Sequence, residues 1–317
     1  MGQGSGRAVY HPDMIATRHW ITRSAGAFLA LGVLGVNPAQ AARPAPPLAP
    51  AAIAAIQAHI AASGAEVAVA FRSLEGDAGW ERNAAESFHA ASTMKVPVLI
   101  ELMHQQREGR LRLDDPLVLR NEFRSLVDGS PYTLDPADDS ETELYAHLGE
   151  TRSLGTLAEL MITVSSNLAT NLLIERLGVA NIRRTVHALG ADGMQVLRGV
   201  EDPKAFAQHV NNTTTAAALC TLLRAIATGR AVDTAASARM LAILERQQFN
   251  EAIPAGVPPG TAVAHKTGDI TAVHHDAAIV FAPRPYVLVI LTRGLDEKPS
   301  AALMAQISRE VYAATQR

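Results

Sequence analysis

Strand character is confined to the two ends of this chain, which restricts the folds open to it more than any other feature. Glu66–Arg72 (EVAVAFR) and Ala78–Arg82 read as the two strands of a hairpin around Gly76. Strand patterns return only at Ala262–Lys266, Asp276–Ala282 and Tyr286–Arg293. From Gly109 to Gln247 the apolar spacing is helical and broken by loops, with almost no alternation. Within it Thr156–Thr163, Leu168–Arg176, Ile182–Ala188 and Thr215–Ala227 are the best helices, several closed by Gly178, Gly190 or Gly229. Further helices are expected at Ala51–Ala62, Ser92–Arg107 and Ser300–Ala314. These patterns imply an α+β fold: an antiparallel sheet built from both chain ends and flanked by helices, with an inserted all-α domain. The α/β part is expected over residues 51–107 and 250–317, and the all-α part over 108–249.

The N-terminus points to export. Ala25–Val36 is a twelve-residue apolar run, short of the ~18 residues that span a bilayer. Arg18 and Arg23 precede it, and Asn37-Pro38-Ala39-Gln40-Ala41 follows with a small-x-small ending. Residues 1–41 therefore read as a secretory signal peptide cleaved after Ala41, with Met1 or Met14 as the start, and residues 42–50 as a Pro/Ala-rich linker. The expected destination is the periplasm or the extracellular space. Cleavage would leave 25 basic and 30 acidic residues, a mildly acidic chain with no footprint for nucleic acid. With 48% hydrophobic and 19% charged residues, it is not a disordered chain either. A soluble monomer with no membrane segment after cleavage is expected. Cys220, the single cysteine, excludes an internal disulfide; it sits in an apolar helical run and reads as a buried packing thiol.

Of 28 basic residues only four are lysines: Lys95, Lys204, Lys266 and Lys298. Two of them fall in short motifs. Ser92-Thr93-Met94-Lys95 reads S-x-x-K, a spacing that puts hydroxyl and amine on one helical face. A serine becomes a nucleophile when a base takes its proton, and a lysine with a lowered pKa can do so where an arginine cannot. Lys266-Thr267-Gly268, at the end of an expected strand, offers a cation and a hydroxyl to a carboxylate, with a glycine that leaves room for substrate. Ser165-Ser166-Asn167 lies between two helices, where a short turn can aim a hydroxyl and a carboxamide inward, or where Asn167 simply caps a helix. His274-His275, with His265 and Asp276, resembles a metal set, but adjacent strand residues face opposite ways. No metal and no cofactor are expected.

Each motif alone is commonplace. In the order S-x-x-K, S-x-N, K-T-G they form the signature of the class A β-lactamases and penicillin-binding proteins, and from Ala51 to Ala314 the chain resembles the class A β-lactamase family. The resemblance implies a β-lactamase/transpeptidase-like fold and a serine hydrolase that opens small-molecule β-lactams through an acyl-enzyme. It implies Ser92 as nucleophile, Lys95 as its proton-transfer partner and Ser165 as proton donor to the leaving nitrogen. Asn167 would bind the substrate amide, and Lys266 and Thr267 its carboxylate. The amides of Ser92 and Asp269 would form the oxyanion hole. Family members carry a deacylating glutamate thirty-six residues after the middle serine, which here is Glu201. The chain departs from the family at Ser166, where an aspartate that supports the loop is usual. It departs again at Ala205, in place of an asparagine that helps hold the water, and beyond K-T-G, where no arginine is evident. Gly109–Glu150 is longer than usual. A D,D-peptidase or esterase acting on cell-wall peptide, and an acylated sensor without turnover, use the same nucleophile.

Overall fold

Tyr286–Arg293 (YVLVILTR) is apolar at nearly every position, which suits only a strand covered on both faces. It occupies the middle of the sheet. The computed structural model describes residues 47–317; the expected signal peptide and residues 42–46 of the expected linker lie outside the described residues. The sheet has five strands: β1 (Glu66–Ser73), β2 (Gly79–Arg82), β3 (Ala262–Ile270), β4 (Val273–Phe281) and β5 (Tyr286–Arg293). Their spatial order is β2-β1-β5-β4-β3, and every neighbouring pair is antiparallel. The N-terminal hairpin thus pairs with the last strand, Val69 opposite Ile290.

The helices of ten or more residues are α1 (Pro50–Ser63), α2 (Lys95–Arg107), α3 (Leu154–Thr163), α4 (Asn167–Leu177), α5 (Val179–Ala188), α6 (Ala216–Ala227), α7 (Thr234–Leu244) and α8 (Glu297–Thr315). Strand alternation divides the core in two. Val69, Phe71, Leu288 and Ile290 face Ile56 and Ile60 of α1 and Leu303 and Ile307 of α8. Ala68, Ala70, Val287 and Val289 belong to the larger cluster that contains α2, α4 and α6. Cys220, on α6, is buried in that cluster, and burial pushes its thiol up to about 12. Val96, Val98, Leu99, Ile100 and Leu102 on α2 are fully buried around its circumference, so α2 is a core helix rather than a surface one.

Several boundaries differ from the sequence reading, each for a local reason. Ser92–Arg107 is not one helix: Ala91–Met94 forms a 3₁₀ turn and the α-helix begins at Lys95. Pro97, which has no N–H, is tolerated because it lies in the first turn. K-T-G lies inside β3 rather than at its end, and His274 and His275 lie inside β4, because the β3–β4 turn needs only Thr271 and Ala272. The helical region also contains short ladders, Pro116–Val118 with Thr151–Ser153 and Phe123–Arg124 with Pro131–Tyr132. Two- and three-residue strands carry no periodicity to read. Ile290 is fully buried, so Ile290→Ala should cost about 2–5 kcal/mol of stability, read as a lower urea midpoint at an unchanged slope.

Candidate active site

The site forms where the 3₁₀ turn before α2, the turn before α4 and strand β3 converge. Ser92 lies in the 3₁₀ turn, entered through Ala91 at φ +44°, a left-handed value unusual for a residue with a side chain. The entry is braced on both sides. The Ala91 amide donates to His89 Nδ1 (3.0 Å) and the Thr93 hydroxyl to the Ala90 carbonyl (2.6 Å). His275 in turn holds His89, its Nε2 lying 2.9 Å from the His89 carbonyl. Burial pushes the His275 imidazole down to about 4, so it is neutral; its Nδ1 lies 2.7 Å from the His274 carbonyl and 3.2 Å from the Thr292 amide. His274 points elsewhere, to the Asp269 carboxylate at 2.8 Å, and His265 pairs with Asp276 at 2.9 Å. The histidines considered as metal ligands therefore have separate partners.

Strand β3 passes close behind Ser92. A Cβ on Gly268 would sit 3.1 Å from the amide nitrogens of both Ser92 and Thr93. The glycine thus makes room for the 3₁₀ turn rather than for substrate, as the sequence reading had it. It also brings the next residue, Asp269, beside Ser92.

The Ser165–Asn167 turn gathers both buried lysines. Ser165 has φ +60°, and Ser166 rather than Asn167 caps α4, accepting from the Ala169 amide. Lys95 Nζ reaches the Ser165 carbonyl (2.6 Å), Ser165 Oγ (3.1 Å) and Asn167 Oδ1 (2.9 Å). Lys266 Nζ reaches the same Ser165 Oγ (3.0 Å) and the Thr267 carbonyl (2.9 Å). Both amines are fully buried. Desolvation, then repulsion from Lys266, holds Lys95 well below the usual lysine range; desolvation pushes Lys266 down to about 8. Burial and the proximity of the two amines thus work against both carrying a proton at once. Lys95 Nζ donates to all three oxygens, and Ser165 Oγ accepts from both amines. The result is a chain of hydrogen bonds from Lys266 through Ser165 to Lys95. Lys95 also fixes Asn167, whose oxygen faces the amine and whose Nδ2 is left for the cleft. Ser92 Oγ is not among the resting partners of Lys95.

Glu201 sits on a sixteen-residue loop, 197–212, whose ends are tied by the backbone pair between Gln195 and Thr213. Its φ is +56°. Glu201 is exposed to the cleft, yet enough protein surrounds its carboxyl that lost solvation, reinforced by Asp138, raises it above the ordinary glutamate range. Cavities of about 430 Å³ and 300 Å³ open here, and Ser92, Asn167, Glu201 and Asp269 line both. Ser165 and Thr267 line only the smaller. The structure therefore brings together every residue singled out in the motifs and Glu201. Ala205 is buried; its amide donates to Asp202 and its carbonyl accepts from the Val210 amide.

Three residues that hold this geometry escaped the sequence reading. Asn171 accepts from the Val200 amide (2.6 Å) and donates to its carbonyl (3.0 Å), clamping the residue before Glu201. Gly199 permits this, since a Cβ there would meet Asn171 Oδ1 at 2.5 Å. Asp202 accepts from Ser125 Oγ, Leu126 N and Ala205 N. Against burial, which works upward, these donors keep its carboxyl below the ordinary range. Asp139 accepts from the Asn167 and Leu168 amides (both 2.9 Å), supplying from the long segment a carboxylate in place of the one absent at Ser166. Asn171, one turn after Asn167, and Asp202, before Pro203, had readable signals as a shared helix face and an N-cap. Asp139 had none.

A seryl hydroxyl open to a cleft beside two buried amines is the equipment of a serine hydrolase. A model of the Beta-lactamase enzyme family matches residues 51–315, and the chain belongs to that family. It is 26% identical to a beta-lactamase of Bacillus licheniformis over 257 residues, covering 75% of this chain and 76% of that one. The crystal structure of a beta-lactamase from Sphaerobacter thermophilus superposes with a TM-score of 0.71 at 27% identity, covering 83% of this chain and 97% of that one. PBP-A superposes with a TM-score of 0.74 at 30% identity, covering 86% and 98%. A leucine-to-glutamate variant of PBP-A has been solved as its acyl-enzyme complex with penicillin G.

The Asn171 clamp is testable without any assumption about function. Asn171→Ala removes two hydrogen bonds of about 1 kcal/mol each, and the Val200 amide should lose its protection from hydrogen exchange while amides in β5 keep theirs.

Proposed function

We propose that this chain is an exported serine β-lactamase of class A type, active without metal or cofactor and as a monomer. The observation that carries the reading is that Glu201 lines the same cavities as Ser92 and Asn167. Ser92 Oγ attacks the lactam carbonyl and passes its proton to Lys95, whose burial favours the uncharged form that can accept one. Lys95 turns toward Ser92 as substrate enters, since resting catalytic contacts tighten in the complex. The amides of Ser92 and Asp269 receive the developing oxyanion. As the C–N bond breaks, the nitrogen takes the Ser165 hydroxyl proton, which Lys95 replaces with the one it took from Ser92. Lys266 and Thr267 hold the substrate carboxylate, and Asn167 Nδ2 its amide oxygen. Glu201 then takes a proton from water, whose oxygen attacks the ester, and Ser92 leaves with the proton.

A second reading, a D,D-peptidase or esterase whose acyl-enzyme is long-lived, or a sensor that stays acylated, is favoured by the likeness to PBP-A, a variant of which was caught acylated. Purified mature protein and a chromogenic cephalosporin separate the two. Wild type should turn over; Ser92→Ala should form no covalent adduct. Glu201→Gln should acylate but deacylate about 10²–10⁴-fold more slowly, accumulating acyl-enzyme in the mass spectrum. Acylation of wild type without turnover would move the assignment to the second reading. The apolar run Ala25–Val36 and the Ala39-x-Ala41 ending support removal of residues 1–41, so N-terminal sequencing of the secreted protein should begin at Ala42.

The pH profile has a defined sign. Lys266 is pushed down to about 8 and loses its charge above that pH, so kcat/KM should decline from about pH 8 upward, through KM, as the hold on the substrate carboxylate weakens. On the acid side Glu201 must be ionised to act, and its raised pKa places the loss of deacylation above the ordinary glutamate range. An alkaline limb that appears only near 10 would remove Lys266 from carboxylate binding.

A further inference from the structure

Asp139 is a buried carboxylate, 7% exposed, that forms no ion pair with any lysine or arginine among the described residues. Its compensation is a set of neutral donors. The Asn167 amide reaches both oxygens (3.0 and 2.9 Å), the Leu168 amide and the Tyr145 hydroxyl reach Oδ2 (2.9 Å each), and the Glu141 amide reaches Oδ1 (3.1 Å). The first two are first-turn amides of α4, which no intrahelical carbonyl can satisfy and which carry the positive end of the helix dipole. Ser166 serves only Ala169, so Asp139 supplies the other half of the cap from 28 residues upstream.

We propose that Asp139 is a positioning residue for the Ser92 site, fixing the Ser165–Asn167 turn and contributing its negative charge to the field at Lys95 and Glu201. This rests on the proposed role of Ser92 and Lys95. All three resting acceptors of Lys95 belong to that turn, so the amine can be no better placed than the turn itself. The segment that carries Asp139 also holds the Glu201 loop: Ser125 and Leu126 bond Asp202, and the Tyr132 hydroxyl donates to the Val200 carbonyl. One stretch of chain thus braces both sides of the cleft.

The charged and titratable groups around Asp139 are Lys95 on α2, Glu201 on its loop, Tyr145, Asp138 and Asp135 on its own segment, and Lys266 beyond Ser165. The Asp139 charge favours the protonated form of Lys95, against burial, and disfavours ionised Glu201. Removing it should therefore lower both pKa values.

The test compares Asp139→Asn, which keeps an oxygen acceptor and loses the charge, with Asp139→Ala, which loses both. Four lysines make the ¹³C-lysine spectrum simple to assign by single substitutions. In Asp139→Asn the Lys95 signal should titrate at lower pH than in wild type, and the acid limb of deacylation should move the same way. In Asp139→Ala the Asn167 and Leu168 amides should lose exchange protection, and acylation by a fluorescent penicillin should slow about 10- to 100-fold, the scale of a displacement near 1 Å. A Lys95 titration unmoved in Asp139→Asn, or wild-type acylation in a folded Asp139→Ala, overturns the proposal. If Asp139→Ala does not fold, the Lys95 titration in Asp139→Asn decides it, because lost stability alone would not move that titration. Wild-type protein that no penicillin acylates sinks the functional reading instead, while the titration and the amide exchange still decide whether Asp139 holds the turn.

Discussion

Two buried amines meet at one hydroxyl, and the rest of the molecule is organised around that fact. Lys95 and Lys266 lie 3.1 and 3.0 Å from Ser165 Oγ with no carboxylate paired to either. Two ammonium ions there would combine the desolvation cost of each with their mutual repulsion, and neutralisation of one is the cheaper solution. An arginine at either position could not yield its proton, so a guanidinium would leave the charge in place. The scarcity of lysine in an arginine-rich chain acquires a physical sense at these two positions. Lys204, in contrast, is exposed and reaches the Asp128 carboxylate and the Ser130 hydroxyl, both at the surface.

The cleft beside these amines is flanked by left-handed backbone. Among the described residues six without a glycine's freedom have left-handed backbone, and three of them, Ala91, Ser165 and Glu201, flank or form the cleft. Such conformations cost about 1–3 kcal/mol each and persist only where the surroundings over-determine them. The surroundings do: His275 and His89 behind Ala91, the capped start of α4 behind Ser165, and Asn171 with Asp202 beside Glu201. None of these bracing groups is needed to contact a substrate in the proposed mechanism. They convert a sheet and a core helix, both rigid, into fixed positions for three turns that line the cleft.

This division explains what could be read from the sequence. The sheet was legible because its strands are long and apolar enough to show alternation or continuous burial, and its assembly from both chain ends followed from where those strands fall. Ser92, Lys95 and Lys266 were legible because each sits in a short motif whose members are neighbours in the chain. The function of Gly268 was misread, because the chain pattern marks a place without a side chain but not what fills the space: here it is the backbone of Ser92, brought from 176 residues away. The two-residue ladders and the 3₁₀ start before α2 were invisible for a different reason. They are set by tertiary contacts and carry no period of their own.

The departure at Ser166 shows why a missing motif residue need not mean a missing interaction. The physical requirement lies at the start of α4, where unsatisfied amides and the end of the helix dipole attract an anionic acceptor. Which segment provides it is immaterial to the helix. Ser166 caps one amide with its hydroxyl, and Asp139 takes two more from the opposite side. A carboxylate on residue 166 would be rigidly part of the turn it supports. One on residue 139 ties the turn to a segment that also grips the Glu201 loop through Ser125, Leu126 and Tyr132. The segment Gly109–Glu150 and the serine at position 166 then belong to a single arrangement, in which the brace lies outside the motif and links the two sides of the cleft.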